Sequence, residues 1–193
     1  TRSGCRRIAE FTFDYCVKNG RKKVTIVHKA NILKALTGLF LETALDVGKA
    51  YEDKLEIEER IVDNTAMQLV INPSQFDVLL TTNMFGDILS DEIAGLVGGL
   101  GLAPGGNIGK HAAIFEAVHG SAPDIAGKGI ANPTALLLAA AMMLEHVGHQ
   151  DKAKILRKTI HSVMNEDRVL TGDLGGKATT EEYTGALIKR ITA

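Results

Sequence analysis

Cysteine is nearly absent from this sequence: Cys5 and Cys16 are the two present, with no CxxC spacing. That excludes a disulfide framework, and two thiols on one amphipathic segment read as buried side chains in a reducing compartment. A surplus of one charge is also lacking. Lys and Arg number 22 against 23 Asp and Glu, a formal net charge of −1, and no basic cluster exceeds Arg21-Lys22-Lys23. Nothing here pulls toward nucleic acid or an anionic membrane. The longest apolar run, Ala135 to Leu144, is too short to span a bilayer and reads as a buried helix. Internal repeats and low-complexity tracts are missing, and so are both standard phosphate cradles. Gly99-x-Gly101 meets Pro104 where a third glycine belongs, and Gly176-Lys177 is followed by Ala178 without the earlier glycine of a P-loop.

What is present is an ordinary soluble composition: 193 residues, 45% hydrophobic and 23% charged, enough for one core or two small ones. The chain opens without Met, at Thr1-Arg2-Ser3-Gly4, and no signal or transit peptide is visible; it reads as a piece of a longer protein. Apolar periodicity predicts a helix over about Arg6 to Lys18, stopped by Asn19-Gly20, then a strand at Lys23 to His28 and a helix from Asn31 to Val47. A short strand follows at Ile61-Val62, a helix at Asn64 to Ile71, a strand at Phe76 to Thr81 and a helix at Asn83 to Val97. Gly98 to Gly109 reads as loop and turn, Ile114 to Val118 as a strand, and His119 to Ala131 as a loop. Helices over Asn132 to Val147 (Pro133 in its first turn), Asp151 to Asn165 and Thr180 to Ile191 complete the chain, with a loop at Thr171 to Lys177. Strands alternating with helices predict an α/β fold.

Asp87 and Asp91 stand four apart on a predicted helix, so both carboxylates leave one face. Asp63, after a different strand, offers a third oxygen donor, a set that suits Mg²⁺ or Mn²⁺. Spacing alone favours a solvated face with acids in its first turns, and leaves the metal reading open. Lys29 directly follows a buried strand, where open α/β sheets place their ligand crevices; a desolvated lysine there serves as a general base, although a surface lysine ending a strand is commoner. Asp124, in a polar Gly- and Pro-containing loop, is either an acceptor for two ribose hydroxyls or a plain turn residue.

Five strings carry more than spacing does: VHKANI (Val27 to Ile32), VDN (Val62 to Asn64), NMFGDILSDE (Asn83 to Glu92), GGNIG (Gly105 to Gly109) and FEAVHGSAPDIAGKGIANPTA (Phe115 to Ala135). With them the chain resembles the isocitrate/isopropylmalate dehydrogenase family, the β-decarboxylating dehydrogenases, over nearly its whole length. The resemblance implies that Lys29 is the catalytic lysine, that Asp63, Asp87 and Asp91 are the divalent-metal ligands, and that Asn31 lies near substrate and nicotinamide. It implies that His119, Gly120, Ser121, Ala122, Pro123, Asp124 and Ile125, with Asn132, bind adenosine, with Asp173 approaching the ribose. Asp124-Ile125 stand where NADP-using relatives commonly carry a Lys-Tyr pair, which implies NAD. The family's substrate arginines and catalytic tyrosine have no counterpart here; Tyr15, Tyr51 and Tyr183 do not match that tyrosine's motif.

The implied fold has two domains and is not a standard Rossmann domain. Residues 1 to 98 would be the later half of the smaller, dimer-forming domain, and 99 to 193 the C-terminal part of the larger, adenosine-binding one, each with apolar sheet edges left unpaired. VHKANI, GGNIG and FEAVHG look most like NAD-dependent isocitrate dehydrogenases; homoisocitrate and 3-isopropylmalate dehydrogenases are the alternatives, as is a non-catalytic regulatory-type subunit. The implied partners are a small 2-hydroxy di- or tricarboxylic acid and a second or homologous subunit, in the cytoplasm or the mitochondrial matrix. Helices around Met67 to Ile71 and Ile88 to Val97 would form the dimer interface, sending Lys29 and Asp63 into the partner's site.

Overall fold

The computed structural model describes residues 1 to 192 and divides into two compact units, Thr1–Ile93 and a second beginning at Ala94. In the first, helix α1 (Arg2–Lys18) starts four residues before the apolar periodicity does, because the Thr1 hydroxyl caps it by accepting from the Gly4 N–H at 3.3 Å. It ends as expected: Asn19 caps the last turn and Gly20 follows at φ +67°, a conformation that costs a glycine little.

Strand β1 (Lys23–His28) is the centre of a three-stranded parallel sheet, with β2 (Glu56–Ile61) on one side and β3 (Val78–Leu80) on the other. Period-two alternation along β1 sends Val24 and Ile26 into a core with Ala9, Phe13 and Cys16 of α1 and Phe40, Ala44 and Val47 of helix α2 (Leu39–Gly48). Val27 points the other way, into a core with Leu69 of helix α3 (Val62–Ile71) and Leu89 of helix α4 (Asn83–Val97). The unit is therefore three-layered, helix on sheet on helix.

Two expectations for this unit need correction. The second strand is not Ile61-Val62: it runs from Glu56 to Ile61, and Val62 already begins α3. Four of its six residues are charged, with only Ile57 and Ile61 apolar, which is why apolar alternation did not reveal it. Lys23 reaches Glu56 at 3.1 Å and Glu58 at 2.9 Å, the Thr25 hydroxyl donates to Glu58 at 2.8 Å, and the Arg60 guanidinium donates to Glu58 and Gln75 while lying 5.0 Å over the Phe76 ring. That edge of the sheet is accordingly charged, not apolar. The helix expected from Asn31 is also shorter: residues 30 to 32 form a turn, Lys34–Gly38 a π-helical turn, and α2 begins at Leu39. Cys16 is buried as expected, with burial raising its thiol pKa, whereas Cys5 is half-buried.

In the second unit, strand β4 (Pro104–Ile108) pairs antiparallel with β5 (Ala113–Ala117). This corrects the reading of Gly98 to Gly109 as loop throughout. Glycines 105 and 106 are poor strand formers alone, but β5 supplies their ladder, and a Cβ on Gly106 would press on Met142 at 3.1 Å and Phe115 at 3.4 Å. Helices α5 (Thr134–His146), α6 (Gln150–Asn165) and α7 (Thr180–Ile191) follow. Pro133 is the N-cap of α5 and not its first residue, and Oδ1 of the preceding Asn132 accepts from the Thr134 N–H at 3.0 Å. A capping box of Thr179 and Glu182 opens α7. The core joins Ile160, Val163, Tyr183 and Leu187. Fully buried Tyr183 accepts from the Thr134 hydroxyl at 2.8 Å, and burial raises its pKa, the marks of a structural tyrosine. Among the described residues no helix is long and apolar enough to cross a membrane.

Candidate functional site

All strands of the first unit's sheet are parallel, so the segments that leave their C-terminal ends gather at one rim. Lys29 leaves β1, Asp63 is the second residue of α3 after β2, and Asp87 lies in α4 after β3. The structure brings Lys29 and Asp63 together: Nζ and Oδ1 form an ion pair, with the Lys29 side chain 21% exposed and that of Asp63 67% exposed. The Lys29 hydrogen bond, joined by a backbone contact of its own residue, holds the Asp63 carboxyl below its ordinary pKa.

The Lys29 main chain is tied as firmly as its side chain. Its N–H donates to the Thr37 hydroxyl at 3.1 Å, and its carbonyl accepts from Ile32 at 3.1 Å and Leu33 at 2.8 Å. The next N–H, of Ala30, donates to Nδ1 of buried His28 at 3.0 Å. Asn31 is exposed within this turn. Sequence reasoning passed over Thr37 and His28; the available signal was a buried-type threonine one helical stretch beyond Lys29, which acquires meaning only once the turn is known.

Asp87 and Asp91 are both exposed and one turn apart on α4. Asp63 does not join them: among the described residues no three His, Cys, Asp or Glu side chains stand close enough to hold a metal ion. One chain thus presents two hard oxygen donors on one helix face and a separate Lys-Asp pair.

In the second unit the expected adenosine loop is exposed through its middle and anchored at its ends. The Val118 N–H donates to Ala103 at 3.2 Å. At the far end the Thr180 N–H donates to Gly129 at 2.8 Å and its hydroxyl to Ala131 at 2.6 Å. Between them, His119 Nδ1 lies 2.9 Å from the Gly120 carbonyl, Ser121, Pro123 and Asp124 face solvent, and Ala122 sits at φ +40°, a conformation that costs a non-glycine residue about 1 kcal/mol or more. The Ala122 carbonyl accepts from the half-buried Ile125 at 3.1 Å, closing a turn that presents Asp124.

Asn132 and Asp173, forty-one residues apart, do meet. The Asn132 amide donates to Asp173 Oδ2 at 3.0 Å, and the buried Thr171 hydroxyl donates to Asp173 Oδ1 at 2.5 Å. Gly101 makes room for them, since a Cβ there would lie 2.9 Å from Asp173 Oδ2 and 3.4 Å from Asn132. The loop around Asp173 needs glycine twice more. Gly175 lies at φ +76°, and a Cβ on Gly176 would overlap the Leu170 carbonyl.

Known proteins share this sequence and architecture. The family model described as isocitrate/isopropylmalate dehydrogenase matches residues 1–187. The chain is 52% identical, over its full length, to a mitochondrial regulatory subunit of isocitrate dehydrogenase [NAD] from Dictyostelium discoideum, covering 54% of that protein. It is 49% identical over 99% of its length to the homoisocitrate dehydrogenase of Methanocaldococcus jannaschii, again covering 54% of it. The crystal structure of isocitrate dehydrogenase from Methylococcus capsulatus superposes on the whole chain with a TM-score of 0.96 at 53% identity, covering 57% of that chain. The chain therefore spans about half the length of the curated relatives it matches. Its α/β architecture is that of isocitrate dehydrogenase, and by sequence and fold alike it belongs to the isocitrate/isopropylmalate dehydrogenase family.

Proposed function

We propose that the protein containing this chain catalyses the metal-dependent oxidative decarboxylation of isocitrate to 2-oxoglutarate with reduction of NAD. The observation that carries this reading is Lys29: an amine-bearing side chain at the C-terminal rim of a parallel sheet, its backbone tied on both sides and its side chain held by Asp63. In that role Lys29, as its neutral amine, takes the proton from the substrate hydroxyl, directly or through water, and becomes the ammonium ion as the neighbouring C–H bond is oxidised. Asp87 and Asp91 suit Mg²⁺ or Mn²⁺, which take one or two carboxylates and leave room for substrate and water. Held there, the ion would supply Lewis acidity toward the substrate's hydroxyl and adjacent carboxylate, and NAD would supply the hydride acceptor.

Asp63 completes the donor set from a neighbouring subunit. Met67, Val70 and Ile71 on α3 and Met84 and Ile88 on α4 are exposed apolar residues of the kind that a second copy or a homologous subunit would cover. Residues 119 to 125 with Asn132 would hold adenosine, where the exposed Asp124 carboxylate would accept from ribose hydroxyls and repel a 2′-phosphate. Asp173 supports this surface through Asn132. The strings VHKANI, GGNIG and FEAVHG favour isocitrate over homoisocitrate and 3-isopropylmalate.

A second reading, a regulatory-type subunit, is favoured by the name of the Dictyostelium relative, which also favours the mitochondrial matrix over the cytoplasm. Lys29, Asp63, Asp87 and Asp91 together speak for catalysis. The test is turnover of isocitrate with Mn²⁺ and NAD⁺ by the longer protein, where Lys29→Met should lower kcat on the order of 10²–10⁴-fold. Turnover only beside a catalytic homologue, indifferent to Lys29→Met, would establish the second reading instead.

A further inference from the structure

The first two peptide N–H groups beyond β1 fall outside the sheet's ladder, since pairing with β2 ends at His28–Ile61 and pairing with β3 at Ile26–Leu80. Each must find an acceptor elsewhere. Each finds a buried side chain: Thr37, 1% exposed, for the Lys29 N–H, and His28, 5% exposed, for the Ala30 N–H. The Thr37 hydroxyl donates onward to the Leu33 carbonyl at 3.2 Å, and the Leu33 N–H returns to the Lys29 carbonyl at 2.8 Å. A closed hydrogen-bonded circuit thus runs from Lys29 through Thr37 and Leu33 back to Lys29. For His28 to accept at Nδ1, its proton must sit on Nε2, which faces the Glu59 carboxylate 3.6 Å away. Thr37 itself belongs to the π-helical turn Lys34–Gly38, a rare backbone form that is frequent at functional sites.

We propose that Thr37 and His28 are positioning residues: by gripping the consecutive N–H groups of Lys29 and Ala30 they fix the Lys29 backbone, and so the direction in which its side-chain nitrogen leaves the strand. Valine at position 37 would fill the same volume without burying a hydroxyl, so the fold's apolar packing does not demand threonine. The circuit acts on Lys29 alone, and neither side chain need touch substrate. This inference rests on the reading of Lys29 as the base, and its consequence is specific. Loosening the circuit lets the side-chain nitrogen wander from its working position, which slows the proton-transfer step while leaving the binding of substrate and cofactor in place.

The experiment uses the longer protein containing this chain, with Thr37→Val, Thr37→Ser and Lys29→Met assayed for isocitrate oxidation. Thr37→Val is expected to lower kcat on the order of tenfold or more while KM for isocitrate and NAD⁺ stays within about twofold. Thr37→Ser, which keeps the hydroxyl, should remain within about threefold of wild type in kcat. If Thr37→Val precipitates, His28→Leu against His28→Asn makes the same comparison at the Ala30 N–H, because an asparagine Oδ1 can accept from the N–H two residues on. Wild-type kcat in a folded Thr37→Val or His28→Leu variant overturns the proposal, as does a folded Thr37→Ser as slow as Thr37→Val. With Lys29→Met inactive, either result removes only the positioning role; an active Lys29→Met would remove the reading on which it rests.

Discussion

Replacing Gly176 by alanine should unlock the loop that supports Asp173. The Gly176 N–H donates to the Thr171 carbonyl at 3.0 Å, and the Ala178 N–H donates to the Leu170 carbonyl at 2.9 Å, which closes a short bridge between Thr171 and Ala178. A Cβ on Gly176 would overlap that same Leu170 carbonyl, a backbone atom that cannot swing aside. Both hydrogen bonds must open, and the chain must be pushed apart around buried Thr171; together these cost roughly 2–5 kcal/mol. Gly185→Ala is the contrast. It lies inside α7 with nothing within 4 Å of a new Cβ, and should stabilise by about 0.5–1 kcal/mol. Urea unfolding followed by far-UV circular dichroism measures both. A Gly176→Ala midpoint equal to wild type would refute the close approach, and with it the argument that this loop is shaped by its glycines. A second consequence follows from the Asn132–Asp173 bond: the same variant should bind NAD⁺ more weakly in the longer protein.

Asp77→Asn should cost roughly 1 kcal/mol at neutral pH, since the carboxylate accepts from the N–H groups of Lys22 at 2.7 Å and Lys23 at 3.3 Å and from Arg21 at 3.1 Å. Those bonds, the Lys22 N–H foremost, hold the Asp77 pKa below 3.8, so the difference should be constant above the ordinary carboxylate range and vanish as pH falls through the folded value; urea midpoints across pH would reveal any other trend. Asp124→Lys with Ile125→Tyr should move kcat/KM from NAD⁺ toward NADP⁺, and an NADP⁺-preferring wild type would defeat the role given to Asp124. Lys29→Met and Asp91→Asn subunits, each inactive as homodimers, should regain about a quarter of wild-type activity after equal mixing and random exchange, because half the dimers are mixed and each carries one intact site. No recovery after verified exchange would mean that Lys29 serves its own subunit.

What could be read from the sequence followed the strength of local patterning. Strand β1 was legible because its apolar run is bounded by Gly20 and by the polar turn after His28, and α4 and α7 because their apolar positions recur at helical spacing. Strand β2 was hidden because Glu56, Glu58 and Arg60 find their partners on β1 and beyond, contacts that no local pattern encodes. Strand β4 was hidden because its glycines owe their extended form to β5 and to Met142. At the site, the place of Lys29 followed from its position after a buried strand. Its grip by Thr37 did not, because a π-helical turn shifts which side chain comes back to the strand end. The family resemblance put Asn132 and Asp173 at one cofactor, but the hydrogen bond between them spans two loops and no local pattern encodes it.

The charged strand β2 bears on how this chain behaves in a test tube. Within the chain it is one margin of the sheet, and an unpaired margin is a template on which another molecule can add a strand. The opposite margin, Val78–Leu80, offers three residues, too few to seed much growth. Along β2, Glu56, Glu58, Glu59 and Arg60 set like charges against any in-register copy. Burial alone would raise the Glu58 carboxyl, but hydrogen bonds from Lys23 and Thr25 bring it below its ordinary range, so it keeps its charge further into acid. Self-association along this margin is therefore restrained by electrostatics and not by shape, and high salt, which shortens the reach of charge to about 3 Å at 1 M, is the condition under which the chain should first begin to associate.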